Sequence, residues 1–414
     1  MGYSKYVNQP YNKQRLNKGD LRGLRKVGER TSIVLTVNVL HVMKPIDHPL
    51  PTTTCLTACL KTLLYALLFA LSVTTFAQRG FTKKEAAKAY EAFNRHFYSP
   101  ESRLYQSTTK RDHVAAIWVQ AIYWDLAMEV YKQTKSPAQF QFITDLYIGN
   151  GNQYAQYDWT NHKVWFIYDD MMWWVIAFAR AHELTGNPTN LQKSIEGFNH
   201  VWEGSYDPVN GGMFWDFKHS GKNACINYPT VIAAMRLYNS TGDTTYLSKA
   251  KQIYAWSKNN RCQTVSGRVA DHKIGNNQPG YEDYTYNQGT CIGAASLLYK
   301  ATSDATYLSD AKLAATYTME TMSKNGLLPT EGDFNEQGIL KAIFAQYMVP
   351  LIYEFGKVQY LPWLDNNVAL GWKNRDKQRD LTYRNYGVPC PTGDIQSYEA
   401  SSIVMFMQLL KPAK

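Results

Sequence analysis

The segment Tyr168-Asp169-Asp170-Met171-Met172-Trp173-Trp174 sets two adjacent carboxyl groups among aromatic rings. Cleavage of an acetal such as a glycosidic bond needs one carboxyl to protonate the leaving oxygen and a second to act as nucleophile or as base for water. Carboxyls about 5–5.5 Å apart give retention and a separation of about 6.5–9.5 Å gives inversion. Adjacent residues favour the shorter separation. The two acids must start in opposite protonation states, and a helix N-terminus together with mutual repulsion can supply that split. Two aspartates can also merely cap a helix. The indoles of Trp173 and Trp174 have two readings, as a platform for a sugar ring or as core, whereas Met171 and Met172 read as packing.

Other polar groups could line the same site. Glu282-Asp283 forms a second acidic pair after the polar run Gly275-Asn276-Asn277-Gln278-Pro279-Gly280, where solvated loop acids are the simpler reading. Tyr286, Asn287 and Gln288 follow, and the two amides suit hydrogen bonds to hydroxyls. Asn227 and Lys341 are candidates by the same logic, with helix capping as the alternative. No metal site is expected, since His182-Glu183 lacks a second histidine four residues after the first. The cysteine spacings match no zinc pattern. No cofactor is expected: there is no Gly-rich phosphate loop, nor a compelling serine or cysteine nucleophile.

The elements that must position these groups are helical. Thr82-Lys83-Lys84-Glu85 is a capping box opening an Ala-rich amphipathic run to Phe97. A short phrase then recurs, built around Thr134, Thr185, Thr241 and Thr302, at separations of 51, 56 and 61 residues. Each copy ends one helical stretch and precedes another, so the repeat is a helical hairpin. Six stretches, near 113–132, 169–184, 226–238, 285–299, 341–355 and 397–410, are apolar nearly all round and must be buried on every side. Six more keep a polar face. Two concentric rings satisfy both, an all-α (α/α)6 toroid with the N-terminal ends of the inner helices gathered at one mouth. An open superhelix of the same hairpins is the competing shape. No strand pattern and no interdomain linker stand out.

Bulk properties narrow the function further. The 414-residue chain is 45% hydrophobic and 19% charged, which excludes a mainly disordered protein. Its formal charge is +10, but residues 1–78 hold ten Lys/Arg against three Asp/Glu. The remainder is therefore nearly balanced, and no nucleic-acid partner is expected. Residues 63–76 are apolar, follow Lys61 and precede Ala77-Gln78, the pattern of a signal peptide cleaved near Ala77. The stretch is too short for stable membrane insertion. The expected organisation is an upstream read-through, with Met43 as the true start, or an extended leader over 1–42, then a signal peptide over 43–77 and a catalytic domain over 78–414, secreted or periplasmic and monomeric. Cys225, Cys262, Cys291 and Cys390 could pair in an exported protein or remain buried thiols.

With these motifs in order, the mature chain resembles glycoside hydrolase family 76, the endo-α-1,6-mannanases and their fungal cell-wall relatives. The resemblance rests on Tyr168-Asp169-Asp170 with Trp173-Trp174, Gly211-Gly212-Met213-Phe214-Trp215, Lys222-Asn223-Ala224, Thr285-Tyr286-Asn287-Gln288-Gly289 and Lys341-Ala342-Ile343-Phe344. It implies an (α/α)6 fold and metal-independent, retaining cleavage of α-1,6-linked mannan. Asp169 would be the nucleophile and Asp170 the general acid/base. Ala342 and Gln346 depart from the family's usual Gly and Arg. Transglycosylation and a non-catalytic glycan-binding toroid are the alternatives. A sugar epimerase would want paired histidines at the inner mouths, where only His113 is a candidate.

Overall fold

The computed structural model describes residues 80–274, 278–280, 282–332 and 336–413. The expected leader and its cleavage point lie outside the described residues. Among the described residues, twelve α-helices alternate between two layers. The inner ones are α2 (Ile117–Thr134), α4 (Tyr168–Thr185), α6 (Ala224–Thr241), α8 (Thr285–Thr302), α10 (Leu340–Tyr353) and α12 (Ser397–Leu409). The outer ones are α1 (Lys83–Phe97), α3 (Pro137–Gln153), α5 (Pro188–Ser205), α7 (Thr244–Arg261), α9 (Ala305–Tyr317) and α11 (Leu361–Lys373).

Side-chain chemistry explains the hairpin repeat. At the end of α2, α4, α6 and α8, a threonine hydroxyl donates back to the carbonyl four residues earlier, over 2.9, 2.6, 2.7 and 2.8 Å. Each hydroxyl also accepts the N–H two residues ahead. The residue between is left-handed: Lys135, Gly186, Gly242 and Ser303 all have φ between 50 and 73°, which ends a helix by supplying partners for its last carbonyls. In three copies the following Asn187, Asp243 or Asp304 then caps the next helix, accepting from the N–H two residues on over 2.8–2.9 Å. Chain reversal is thus encoded within a few residues.

The rings follow from which faces are apolar. Neighbouring inner helices pack in the order α2, α4, α6, α8, α10, α12, and α12 returns to α2, closing the ring. Each outer helix lies on an inner one: α3 on α2, α5 on α4, α7 on α6, α9 on α8, and both α1 and α11 on α12. Residues 171–179 of α4 and 224–235 of α6 are buried without interruption, as an all-round apolar helix requires. Helices α8 and α10 approach closely because Gly289 and Gly293 carry no side chain: a Cβ there would fall 2.7 Å from Phe344 Cα and 2.3 Å from Tyr347 Cδ1. The two ends of the toroid also meet, with Ala413 N–H donating to Phe81 O at 2.9 Å. The capping box at Thr82 and Glu85 forms, with both reciprocal bonds present.

This is the (α/α)6 toroid expected, rather than an open superhelix. Two differences stand out. Short strands do occur, as the hairpins β1 (Tyr98–Ser99) with β2 (Leu104–Tyr105) and β3 (His272–Ile274) with β4 (Gln278–Gly280), both antiparallel. They are too short for a period-two pattern to register. The first inner helix also begins at Ile117, so His113 is exposed in the preceding loop. Cys225, Cys262, Cys291 and Cys390 are all free thiols. No helix among the described residues is long and apolar enough to cross a membrane.

Candidate active site

Asp169 and Asp170 lie in the first turn of α4. Neither caps it. The N–H groups of Tyr168 and Asp169 donate instead to the backbone carbonyl of Trp215, at 3.0 and 3.3 Å, so neither carboxyl is needed as a cap. The same residue supplies a side-chain contact: the Trp215 indole N–H donates to Asp169 Oδ2 at 3.4 Å. The Cys225 thiol, in the first turn of α6, and the Trp173 indole also lie against this carboxyl. The Asp170 carboxyl makes no hydrogen bond among the described residues.

Burial dominates the electrostatics. It pushes the Asp169 carboxyl up to about 7, against the lowering influence of Cys225, Trp215 and Trp173. Burial pushes Asp170 well above the ordinary carboxylate range, and the neighbouring charges of Asp169 and Glu336 push in the same direction, with no donor opposing them. Asp169 therefore ionises first and Asp170 keeps its proton longer. The pair is split in the way an acid and a nucleophile require.

A shaped loop holds Trp215 in place. Gly211 and Gly212 adopt φ of 68 and 78°, and a Cβ on Gly212 would fall 2.6 Å from the Trp256 indole. Lys222 Nζ ties the loop down by donating to Asp207 Oδ2 and Gly211 O, both at 2.6 Å, and lies over the Phe214 ring. Asp207 is held well below the usual carboxylate range, above all by that lysine. The Gly-Gly-Met-Phe-Trp and Lys-Asn-Ala motifs are thus two halves of one support.

Asp271, which the sequence did not single out, lies near both Asp169 and Cys225. Its Oδ1 accepts from Tyr286 Oη at 3.3 Å and from Asn287 Nδ2 at 2.8 Å, and its Oδ2 lies 3.1 Å from His272 Nδ1. Its charge bears on Asp169, Cys225 and Tyr286 alike. Asp271, His272 and Glu282 each offer a ligand atom, all within 4.8 Å of one another. Within this cluster Glu282 also accepts from Tyr284 Oη at 2.9 Å. Asp271 lies in a loop with no motif around it, so only folding brings it to the site.

The remaining sequence candidates separate into two groups. Tyr286, Asn287 and Trp173 join the carboxyls, Trp173 packing against Trp118 with ring centroids 6.2 Å apart. Trp174 does not: it is fully buried among Trp124, Tyr157 and Phe178, with Nε1 donating to Ile117 O at 2.9 Å. Asn227 is also fully buried. Its amide accepts from Met213 N–H at 2.8 Å and donates to Met213 O at 3.0 Å, gripping the loop that carries Trp215. Gln288, with its amide oriented to suit its neighbours, grips Gly267 O and Val269 N–H at 3.0 and 3.3 Å. Gln120 does the same to both backbone groups of Tyr105. These three amides occupy the fourth position of α6, α8 and α2, a clamp repeated around the mouth. Their hydrogen-bonding capacity is spent on backbone, not left for hydroxyls.

Lys341 is likewise fully buried, donating to Pro329 O and Thr330 O at 2.8 Å each, and burial lowers it to about 8. It braces the loop in which Glu331 takes the N–H and hydroxyl of Thr285, both at 2.7 Å, at the start of α8. Asp283 is not a solvated loop acid: Arg268 Nε and Nη2 grip it at 2.8 and 3.0 Å, with Tyr317 Oη at 3.2 Å from each oxygen. Gln346 sits on Asp125 Oδ2 at 2.6 Å, in the barrel interior.

The chain matches the family model described as "Glycosyl hydrolase family 76" over residues 81–406. Among solved structures it is similar to the GH76A α-1,6-mannanase from Salegentibacter sp. HEL1_6, at 25% identity and a TM-score of 0.73, covering 79% of this chain and 98% of that one. An inactive variant of that enzyme, with two consecutive aspartates changed to asparagine, is seen in complex with α-1,6-mannotriose and matches equally well, with a TM-score of 0.73. The GH76 α-mannanase BT2949 of Bacteroides thetaiotaomicron shares the fold at 18% identity, with a TM-score of 0.68 over 79% of this chain and 94% of that one. No match was found among curated proteins. On the extent of the family match, joined to the toroid and its paired carboxyls, the chain belongs to glycosyl hydrolase family 76.

Proposed function

We propose that this protein is an exported, retaining glycoside hydrolase that cleaves α-1,6-mannosidic linkages within mannan, with Asp169 as nucleophile and Asp170 as general acid/base. The observation that carries the reading is the pair itself: two consecutive carboxyls in one helix turn, relieved of capping by Trp215 O and split in their tendency to ionise. The inactive Salegentibacter variant, in which two consecutive aspartates are changed, supports the same pair.

In the first half of the reaction the Asp169 carboxylate attacks the anomeric carbon while Asp170 gives its proton to the departing glycosidic oxygen. Covalent capture of the sugar discharges Asp169, which relieves the repulsion that keeps Asp170 protonated. Asp170, now a carboxylate, takes a proton from water as that water attacks the same carbon and releases Asp169. Two displacements restore the original configuration. In this reading Asp271, held by Tyr286 and Asn287, accepts hydrogen bonds from hydroxyls of the bound sugar, whereas Trp173, 2% exposed, packs behind the carboxyls and does not flank the ring. No metal enters these steps. Export rests on the apolar run at 63–76.

The test is to incubate the mature protein, Asp169→Asn and Asp170→Asn with linear α-1,6-mannan and separate the products by chromatography. Mixed oligosaccharides from the unmutated protein alone are expected. No cleavage of the mannan removes the hydrolase reading, and full activity in either variant removes the dyad. Elongated chains in place of new reducing ends assign transglycosylation. NMR of the first anomer released reads the stereochemistry, and an initial β-product overturns retention.

A further inference from the structure

With Trp173 and Trp174 both packed inside, the flat rings that a sugar chain could meet lie elsewhere. Among the described residues three phenylalanines stand well exposed, Phe140, Phe166 and Phe217, at 44, 41 and 45%. Phe140 sits on the outer helix α3 against Tyr131 near the far end of α2, ring centroids 5.4 Å apart. The other two flank the carboxyls. Phe166 precedes Asp169 by three residues, and Phe217 follows Trp215, whose indole meets Asp169, by two. An extended chain spans at most about 3.6 Å per residue, which keeps the Phe166 Cα within about 11 Å of the Asp169 Cα and the Phe217 Cα within about 7 Å of the Trp215 Cα.

The backbone sets the two rings opposite each other. Ile167 and Asp216 form an antiparallel bridge, flanked by the bonds from Tyr168 N–H to Trp215 O at 3.0 Å and from Phe217 N–H to Phe166 O at 3.5 Å. Phe166 and Phe217 are the next cross-strand pair, whose side chains project from one face. Both are braced from behind. Trp165, just before Phe166, is fully buried against Trp159, centroids 4.8 Å apart. After Phe217 the chain turns tightly: His219 N–H donates to Asp216 O at 3.0 Å, and Ser220 N–H to the buried Asp216 carboxylate at 2.9 Å. The His219 ring stacks on Phe214 with 4.1 Å between centroids.

Single exposed hydrophobic side chains are ordinary. Two phenylalanines on one face, on braced loops at the lip of the dyad mouth, make a preorganised apolar surface. A protein partner would want about 800 Å² per side, which two rings bounded by the exposed Lys163, Lys218 and His219 do not supply. A sugar unit asks for less. The C–H face of a pyranose is flat and apolar and its hydroxyls point outward, so it matches an aromatic face with a donor at its edge. Lys218 Nζ, 5.8 Å from the Phe217 ring centroid, is such a donor.

We propose that Phe166 and Phe217 form a distal subsite on the lip of the mouth, stacking on α-mannan units beyond the linkage that is cleaved. The subsite rests on the mannan reading above, and adds that the protein grips a length of chain and so favours long substrates.

The test uses the double variant Phe166→Ala with Phe217→Ala, and the pair Phe166→Trp with Phe217→Trp. Both rings are exposed, so the core stays intact and unfolding temperatures should hardly move. On long linear α-1,6-mannan the alanine pair is expected to raise KM at least fivefold with little effect on kcat, and the tryptophan pair to keep or lower KM. Asp169→Asn carrying the alanine pair should bind the same mannan at least fivefold more weakly in affinity electrophoresis than Asp169→Asn alone. A KM unmoved by the alanine pair, in a protein that cleaves mannan, overturns the subsite and leaves the function standing. Neither cleavage nor binding of mannan by the unmutated protein removes both. A dimer that the alanine pair dissociates, seen by size-exclusion chromatography, assigns the rings to self-association and overturns the proposal.

Discussion

Trp215 reaches Asp169 twice, its carbonyl taking the Asp169 N–H at 3.3 Å and its indole N–H donating to Asp169 Oδ2 at 3.4 Å. One residue thereby caps the helix that carries both carboxyls and favours the charged form of Asp169, the proposed nucleophile. The two roles are separable, because only the indole is lost on substitution.

Trp215→Phe removes that donor and keeps the carbonyl. The Asp169 carboxylate loses a hydrogen bond that favours it, so its ionisation moves to higher pH. At 3.4 Å the bond is long, and an effect of about 0.5–1 pH unit is expected, since each unit corresponds to about 1.4 kcal/mol. The acid limb of the kcat/KM profile should shift upward by that amount while the fold is unchanged. An unmoved acid limb would show that the indole does not tune Asp169.

Asp169→Asn should stabilise the protein, but only above acid pH. Below about pH 4 the residue is protonated both folded and unfolded, and the substitution changes little. As pH rises, the unfolded chain ionises near its ordinary value of 3.8 while the folded protein holds the proton up to about 7. The unmutated protein therefore loses stability through this window, and the loss levels off above it. A gain of about 1–3 kcal/mol for Asp169→Asn at pH 8, absent at pH 4, is expected from thermal or urea unfolding. A gain independent of pH would refute the assignment.

The repeated amide clamp gives a stability prediction with a functional side. Asn227→Ala strands Met213 N–H and O, and Gln288→Ala strands Val269 N–H and Gly267 O. Each should cost about 1–3 kcal/mol. Asn227→Ala should also lower kcat, because the freed loop carries Trp215, whereas loss of a substrate contact would raise KM instead. Steady-state kinetics on α-1,6-mannan separates the two.

Arg180 holds two carboxylates in the barrel interior. Arg180→Met leaves Asp125 buried without its cation and Glu129 with only Lys132, at 3.5 Å, at a cost of about 3–5 kcal/mol. Adding Asp125→Asn and Glu129→Gln should recover part of it. Unfolding of the single and triple variants in urea would read this directly, and a triple variant no more stable than the single one would refute the pairing argument.

The fold, and the adjacent carboxyls at the start of its second inner helix, were legible in the sequence for local reasons. Helical period, all-round apolarity of the inner segments and the recurring threonine turn each act within one or two turns of chain, so the residues that cause them sit side by side. Asp169-Asp170 is legible for the same reason. What tertiary structure decided is the fate of each isolated polar residue. Asn227, Gln288 and Lys341 sit at inner-helix mouths like ligand-binding groups, but a buried amide or ammonium must find partners, and the nearest are loop backbones brought there only by ring closure. Trp174 faces the core and Trp173 the carboxyls, a rotation along α4 that no spacing specifies. Asp271 lies 102 residues after Asp169 in the chain. Only the closed toroid sets it beside Cys225 and Tyr286, because its place depends on how the third and fourth inner helices pack.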